Sequence, residues 1–135
     1  MTRRFETKRL PSERTVGAPD GSDVRVLLAL PGRGGMAHFE LGPGQVSRAV
    51  AHHSVDEIWF FLRGRGQMWR RLGTQEDVID VDAGVCLTIP VGARFQFRAN
   101  GDGPLSAIGV TMPPWPGEDE AYGVDGPWEP TVSES

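Results

Sequence analysis

The chain has 135 residues and a formal net charge of −4, a length that suits one domain built around one core. Its acidic balance and scattered arginines exclude a basic nucleic-acid surface, and its single cysteine excludes an internal disulfide framework. No apolar run approaches the ~20 residues of a membrane span, and the N-terminus lacks the apolar stretch of a secretory signal. We therefore expect a cytoplasmic protein that binds neither nucleic acid nor membrane.

Residues 1–20 are polar and show no clear period, which predicts an N-terminal arm ending at a Pro-Asp-Gly turn signal. From residue 21 to residue 112, short apolar or alternating segments are separated by turns rich in glycine and proline. This spacing predicts about nine short strands of an all-β sandwich or barrel. The predicted strands are 24–30, 36–41, 45–52, 56–62, 67–72, 76–81, 85–89, 94–99 and 105–111.

Two of these segments and the tail carry further expectations. Four β-forming residues follow one another from Ile58 to Phe61, which predicts a strand covered on both faces. Cys86 lies in an apolar run, so we expect a buried structural thiol. Residues 113–135 form a tail rich in proline and acidic residues. We expect this tail to lie across the barrel or against a second subunit, and to bury Trp115 and Trp128.

Two stretches, 44–64 and 84–95, carry glycine and polar residues at a specific spacing. They resemble the two motifs of the cupin superfamily, G-x5-H-x-H-x3,4-E-x6-G and G-x5-P-x-G-x2-H. The matching positions are Gly44, His52, Glu57 and Gly64 in the first motif, and Gly84, Pro90 and Gly92 in the second. The resemblance implies a small single-domain bacterial cupin: a β-barrel, or jelly roll, of short antiparallel strands with an N-terminal arm and a proline-rich C-terminal tail.

The resemblance also implies a metal centre, but the ligand set is degenerate. Val50 and Phe95 occupy two of the family's histidine positions, which leaves His52 and Glu57 as metal ligands. Two ligands hold a divalent ion weakly, and His53 becomes a third only if the strand ends or bulges there. We therefore expect no resident metal, with a weakly held Fe, Mn, Ni or Zn ion as the alternative.

The same residues suggest a site that needs no metal. In strands, alternate residues share a face, so Glu57 lies with Trp59 and Val50 lies with His52. If both faces point inward, a carboxylate and an imidazole meet at one end of an apolar cavity. Burial raises the pKa of a carboxylate, so such a pair can exchange a proton near neutral pH. This pattern predicts His52 and Glu57 as catalytic residues; the alternative is that they only hydrogen-bond each other inside the barrel.

Four more residues are candidates for ligand binding. Trp59 and Phe95 are predicted to form the pocket wall around a flat substrate. Arg94 and Gln96 flank Phe95 along the strand and so occupy the opposite face. If Phe95 points inward, Arg94 and Gln96 lie on the outer surface; if the faces are reversed, they become ligand-binding groups. The sequence leaves both arrangements open.

Three classes of function remain. The first is an isomerase, lyase or dioxygenase that acts on a small organic acid, keto compound or aromatic compound. The second is a non-catalytic barrel that binds or senses a small molecule without metal. The third is a structural protein whose role lies in its assembly. In each case we expect a homodimer, because small cupins commonly pair through an outer sheet.

Overall fold

A computed structural model of the protein describes residues 4–117 and 119–132. These residues contain strands and no helix, so the all-β prediction is confirmed. The strands are β1 (Val16–Gly17), β2 (Asp23–Leu30), β3 (Gly34–Leu41), β4 (Val50–His52), β5 (Asp56–Arg63), β6 (Arg65–Leu72), β7 (Gln75–Asp82), β8 (Cys86–Ile89), β9 (Arg94–Ala99), β10 (Leu105–Met112) and β11 (Ala121–Gly123). Within the described ranges, no helix is suited to crossing a membrane.

The strands form two sheets in which every neighbouring pair is antiparallel. One sheet has six strands in the order β1-β2-β3-β10-β5-β8, and the other has five in the order β11-β4-β9-β6-β7. Strands that are distant in sequence, such as β3 and β10, are neighbours in space, so the chain crosses repeatedly between the sheets. Such crossing connections close a jelly roll and leave few exposed sheet edges.

The core lies between the sheets and is built from alternate residues of the strands. Its largest fully buried side chains are Trp59 and Phe61 of β5 and Phe95 and Phe97 of β9. Each of these rings removes about 150–250 Å² from water, and the two strands belong to different sheets. The aromatic side chains therefore hold the two sheets together.

The prediction that β5 is covered on both faces is wrong. Burial alternates strictly along the strand: Trp59 and Phe61 are buried, whereas Ile58, Phe60 and Leu62 are 42%, 46% and 42% exposed. The run of consecutive apolar residues hid this alternation, because both faces carry hydrophobic side chains. One face of β5 packs into the core, and the other is an apolar surface.

The prediction of a buried thiol at Cys86 is also wrong, because this side chain is exposed. Leu87 and Ile89 take the inward positions of β8, and the period-2 rule then turns Cys86 outward. Cys86 lies opposite Phe60 in the register between β8 and β5, so it borders the apolar outer face of β5.

The predicted third strand, 45–52, is regular only over Val50–His52. The residues before it bond to several different segments: Val46 forms an isolated bridge with Arg98, and the Arg48 amide donates to the carbonyl of Asp20. Because the backbone partner changes from residue to residue, no continuous ladder forms there.

Two short strands lie in segments that were expected to lack regular pairing. In the arm, β1 pairs with β2, with Val16 opposite Val24. In the tail, β11 pairs with β4, with Ala121 opposite His52. The prolines of the tail flank β11 without interrupting it, so its backbone amides are free to pair.

Candidate functional site

A cavity of about 730 Å³ is lined by residues of both sheets, of the arm and of the tail. Most of its wall is apolar, and five polar side chains reach it: Asp20, Arg48, His52, Glu57 and Thr111. On one side the wall includes a bulge in β2, where the register with β3 shifts between Val26 and Ala29. Bulges are common beside binding sites because they redirect side chains.

His52 and Glu57 meet in this cavity from different sheets. His52 ends β4 and Glu57 lies near the start of β5, and their side chains are only 5% and 2% exposed. The Nδ1 atom of His52 lies 3.3 Å from Oε2 of Glu57. Neither atom has a partner in good hydrogen-bond geometry among the described residues. The pair is therefore close, buried and incompletely satisfied.

Burial shifts both groups toward their neutral forms. It lowers the pKa of His52 from 6.5 to about 4, an effect that the negative charge of Glu120 partly opposes. Burial also raises the pKa of Glu57 from 4.5 to about 8, and the nearby charge of Asp20 adds to this rise. At neutral pH the site thus combines a protonated carboxylic acid with a neutral imidazole. One can donate a proton and the other can accept one.

Glu120, which the sequence did not single out, fixes the loop between His52 and Glu57. Its carboxylate accepts hydrogen bonds from the Ser54 amide at 2.7 Å, from the Val55 amide at 3.1 Å and from the Ser54 hydroxyl. These hydrogen bonds hold the pKa of Glu120 below its usual value, despite its burial. A charged tail residue therefore positions the turn that brings the imidazole and the acid together.

Aromatic rings surround the pair. The Trp59 ring stacks on Phe39, with centroids 4.6 Å apart and planes at 6°. The His52 ring contacts Phe95 and Trp115 edge to face, with centroids 5.2 and 5.0 Å apart. Trp59 and Phe95 thus line the cavity beside His52. The prediction that the tail buries Trp115 is wrong, because this ring contacts His52 but remains 39% exposed.

The tight stack of Phe39 and Trp59 depends on a glycine. A Cβ atom at Gly109 would lie 2.6 Å from Phe39 Cε2 and 3.0 Å from Trp59 Nε1. Gly109 lies on β10 between the strands that carry these two rings. The missing side chain therefore makes room for the aromatic wall of the cavity.

The two other predicted ligand-binding residues, Arg94 and Gln96, do not line this cavity. Phe95 and Phe97 point into the core, so Arg94 is exposed on the other face of β9. Gln96 is on that same face but is fully buried, because the tail covers it. Its amide nitrogen donates to the carbonyl of Trp128 at 2.9 Å, and its oxygen accepts from the Trp128 amide at 3.2 Å. Gln96 thus anchors the tail.

The donor set does not fit a metal ion. Among the described residues that line the cavity, His52 and Glu57 are the ligands retained from the family's motifs, and Val50 and Phe95 present hydrocarbon at the other two positions. His53 points outward and stacks on the Tyr122 ring, with centroids 4.3 Å apart, so it cannot complete the set. Within residues 4–117 and 119–132, no cluster of three or more His, Cys, Asp or Glu is arranged to hold a metal.

Two charged residues of the cavity escaped the sequence analysis. Asp20 looked like an ordinary turn residue, but it is 4% exposed and accepts hydrogen bonds from the Ser22 amide and hydroxyl at 2.9 and 2.7 Å. Burial raises the pKa of Asp20, and these hydrogen bonds partly oppose the rise. Arg48 looked like one of several scattered arginines. No local pattern marks either residue, since the fold alone brings them to the cavity.

Comparison with known proteins identifies the fold. A family model described as "Cupin domain" matches residues 37–111. A search of curated proteins found no significant match.

Solved structures share the architecture at low sequence identity. The capsular polysaccharide assembling protein CapF from Staphylococcus aureus superposes with a TM-score of 0.66 at 19% identity, over 81% of this chain and 33% of CapF. An uncharacterised double-stranded β-helix protein from Klebsiella pneumoniae gives 0.64 at 16% identity, over 93% of this chain and 100% of that one. The formate complex of Lactobacillus farciminis oxalate decarboxylase superposes with a TM-score of 0.66 at 18% identity, over 78% of this chain and 32% of the decarboxylase chain. The chain thus spans about a third of CapF, and the likeness concerns the fold.

Proposed function

The chain belongs to the cupin domain family, and from that premise we propose that its barrel is a metal-free enzyme that moves protons on a small organic molecule. His52 is the general base and Glu57 is the general acid. The single observation that carries this proposal is the distance of 3.3 Å between His52 Nδ1 and Glu57 Oε2 at the wall of a cavity. Burying two ionisable groups without full hydrogen bonding is costly, and a reaction that uses them explains why the chain keeps them.

The chemistry follows from the neutral states of the two groups. A bound carbonyl compound accepts the carboxylic proton of Glu57 on its oxygen, while the His52 imidazole takes a proton from the adjacent carbon. The C–H bond breaks, its electron pair forms the carbon–carbon double bond, the π pair of the carbonyl binds the proton from Glu57, and an enol forms. Return of the proton from His52 to another carbon, or to the other face of the same carbon, with return of the enol hydroxyl proton to Glu57, completes an isomerisation or an epimerisation and restores both groups. Both protons come from groups on the protein or the substrate, so the step requires no metal.

The cavity is consistent with a small, partly flat substrate. Its volume of about 730 Å³ lies within the ~300–1,000 Å³ typical of ligand pockets. The stacked rings of Trp59 and Phe39 and the ring of Phe95 offer flat apolar walls. The Trp59 indole N–H lies near the Glu57 carboxyl and lowers the pKa of that group, but it forms no hydrogen bond of good geometry among the described residues, so it also offers a donor to a substrate oxygen. Keto and aromatic acids combine these properties.

A second candidate function is a binding or sensing barrel that uses the same cavity without catalysis. The Trp59 indole favours it, because a donor without a well-formed hydrogen bond in an apolar cavity serves binding as well as chemistry. The two functions differ in one respect: catalysis requires that both His52 and Glu57 handle protons, whereas binding requires only their shape and polarity.

Hydrogen–deuterium exchange at carbon distinguishes the two functions. A panel of small ketones and 2-oxo acids is incubated with the protein in D₂O, and loss of the α-proton signal is followed by NMR. Catalysis predicts enzyme-dependent exchange that falls by about 100-fold or more in Glu57→Gln and in His52→Gln. Glu13→Gln, an exposed arm position, is the matched control and keeps the rate. Binding of panel members without any exchange would support the binding barrel instead.

A further inference from the structure

Arg48 is half-buried at the cavity, and its charge is not used by the proposed chemistry. Four residues that line the cavity each have a buried polar atom without a hydrogen-bond partner among the described residues: Arg48 Nη1, His52 Nδ1, Glu57 Oε2 and Trp59 Nε1. Unsatisfied buried groups of this kind are rare in native proteins and point to a missing partner. Three of these atoms belong to His52, Glu57 and Trp59, to which the proposed function already gives a role. The fourth belongs to Arg48.

The position of the Arg48 guanidinium is fixed by one edge of the group. Its Nε and Nη2 atoms both donate to the carbonyl of Pro19, at 3.1 and 2.6 Å. The backbone amide of Arg48 donates to the carbonyl of Asp20 at 2.7 Å. Because these hydrogen bonds use the Nε edge, the end of the fork that carries Nη1 is left for another acceptor. The plane of the group is therefore preset before a ligand arrives.

The charge of Arg48 is also incompletely balanced. In the described part of the chain, no carboxylate forms an ion pair with it. Asp20 interacts with Arg48 at longer range, but its own hydrogen bonds are directed to Ser22. Arginine is permanently charged, so loss of a proton does not relieve the imbalance. An anion supplied from the cavity would do so.

We propose that Arg48 binds the carboxylate of the ligand, so that the protein acts on a small organic acid. The inference rests on the proposed function, since it names the substrate class for the same cavity. A carboxylate matches the planar guanidinium and accepts two parallel hydrogen bonds from it. Bound there, the acid would present its carbonyl-bearing or aromatic body to the cavity that Arg48 shares with His52 and Glu57. A phosphate fits less well, because one cation would have to balance its two negative charges.

Arg94 offers a matched comparison. Arg48 lines both the main cavity and a second cavity of about 850 Å³, whereas Arg94 lines only the second. Arg94 is exposed. The two arginines therefore carry the same charge and line the same second cavity, but of the two only Arg48 also lines the cavity of the catalytic pair. If the protein attracted its ligand by net charge alone, the affinity would depend on both arginines. If the ligand is anchored as proposed, the affinity depends on Arg48 and not on Arg94.

Paired acid and amide probes test the inference. Binding of benzoate and benzamide, and of phenylpyruvate and phenylpyruvamide, is measured by titration calorimetry on wild type, Arg48→Gln, Arg48→Lys and Arg94→Gln. Wild type and Arg94→Gln are expected to prefer each acid over its amide by about tenfold or more. Arg48→Gln is expected to abolish the preference, and Arg48→Lys to keep part of it because the charge remains while the fork is lost. Circular dichroism checks that each variant is folded. If Arg48→Gln does not fold, Arg48→Lys provides the comparison with wild type.

Each outcome decides the inference separately from the proposed function. Equal affinity of wild type for acid and amide would overturn the carboxylate anchor but leave a ligand-binding cavity. An undiminished preference for the acid in both Arg48→Gln and Arg48→Lys would have the same consequence. Tighter binding of phenyl phosphate than of benzoate also overturns it, and so does the absence of binding by any acid. An acid preference that depends on Arg48, found without α-proton exchange, supports the anchor and contradicts the catalytic proposal.

Discussion

Nδ1 of His52 and Oε2 of Glu57 lie 3.3 Å apart, although the two residues belong to different sheets. The turn that joins β4 to β5 carries the chain from one sheet to the other in three residues, and the carboxylate of Glu120 holds that turn by hydrogen bonds to Ser54 and Val55. The acid–base pair is thus a product of the sheet crossover and of the tail that secures it.

Replacing Glu57 with Gln is expected to leave the fold intact and to change how stability depends on pH. The folded protein keeps the Glu57 proton up to a pKa of about 8, whereas the unfolded chain loses it near 4.5. The contribution of Glu57 to stability therefore falls as pH rises through this window, and the variant lacks this loss. We predict that the stability of Glu57→Gln relative to wild type rises by about 5 kcal/mol from the acid to the alkaline end of the window, at about 1.4 kcal/mol for each pKa unit. Urea titrations at a series of pH values measure the free energy of unfolding of both proteins. A difference between variant and wild type that stays constant across the window would contradict the raised pKa of Glu57.

Replacing Glu120 with Gln is expected to destabilise the protein and to loosen the turn before Glu57. The variant keeps one acceptor but loses the charge that strengthens the hydrogen bonds from Ser54 and Val55. We predict a loss of about 1–3 kcal/mol at neutral pH. Because folding lowers the pKa of Glu120 below 4.5, this contribution is present above pH 4.5 and fades as pH falls through the folded pKa. Equal stability of variant and wild type at neutral pH would show that the tail does not secure the turn. Asp125→Asn, at an exposed tail position, is the control.

Replacing Gly109 with Ala is expected to disturb the aromatic wall of the cavity. The new Cβ would meet Phe39 and Trp59 at 2.6 and 3.0 Å, and overpacking of this kind costs about 1–3 kcal/mol. A changed near-ultraviolet circular dichroism spectrum and a lower melting temperature report the effect. Gly103→Ala is the control, because a Cβ there meets nothing within 4 Å. Matching spectra and melting temperatures for the two variants would contradict the proposed stack.

The outer face of β5 is expected to bind a second copy of the chain. Its exposed residues Ile58, Phe60 and Leu62 form an apolar row. A two-fold interface would cover this apolar row.

Light scattering on purified protein tests this homodimer. Phe60→Ser is predicted to weaken the dimer by about tenfold or more, since it removes the central apolar side chain of the face. Val78→Ser is the control, because Val78 is 50% exposed on β7 of the other sheet. A wild-type protein that remains monomeric at high concentration would rule the interface out.

The sequence predicted the fold well because strand periodicity and turn chemistry are local properties. Glycines and prolines between alternating segments identified the strands, and their spacing around His52 and Glu57 indicated the cupin motifs. The same period-2 rule placed Trp59 on the face of Glu57, and both line the cavity. These inferences required no knowledge of tertiary structure.

The sequence did not predict the features that depend on distant segments. Gln96 is buried because the tail around Trp128 covers the outer face of β9. Arg48 and Asp20 reach the cavity because the start of β2 and the segment before β4 meet there. Glu120 acts on a turn 65 residues away. In each case a polar residue took its role from a contact that no local pattern encodes.

The protonation state of Glu57 tests the proposed acid–base pair most directly. The infrared difference spectrum of wild type minus Glu57→Gln, recorded at neutral pH, isolates the signal of this one side chain. A protonated carboxylic acid beside a neutral imidazole predicts a carboxyl C=O stretching band that disappears only as pH rises toward 8. Carboxylate bands alone, present already below neutral pH, would show that Glu57 is ionised and would contradict its role as the proton donor.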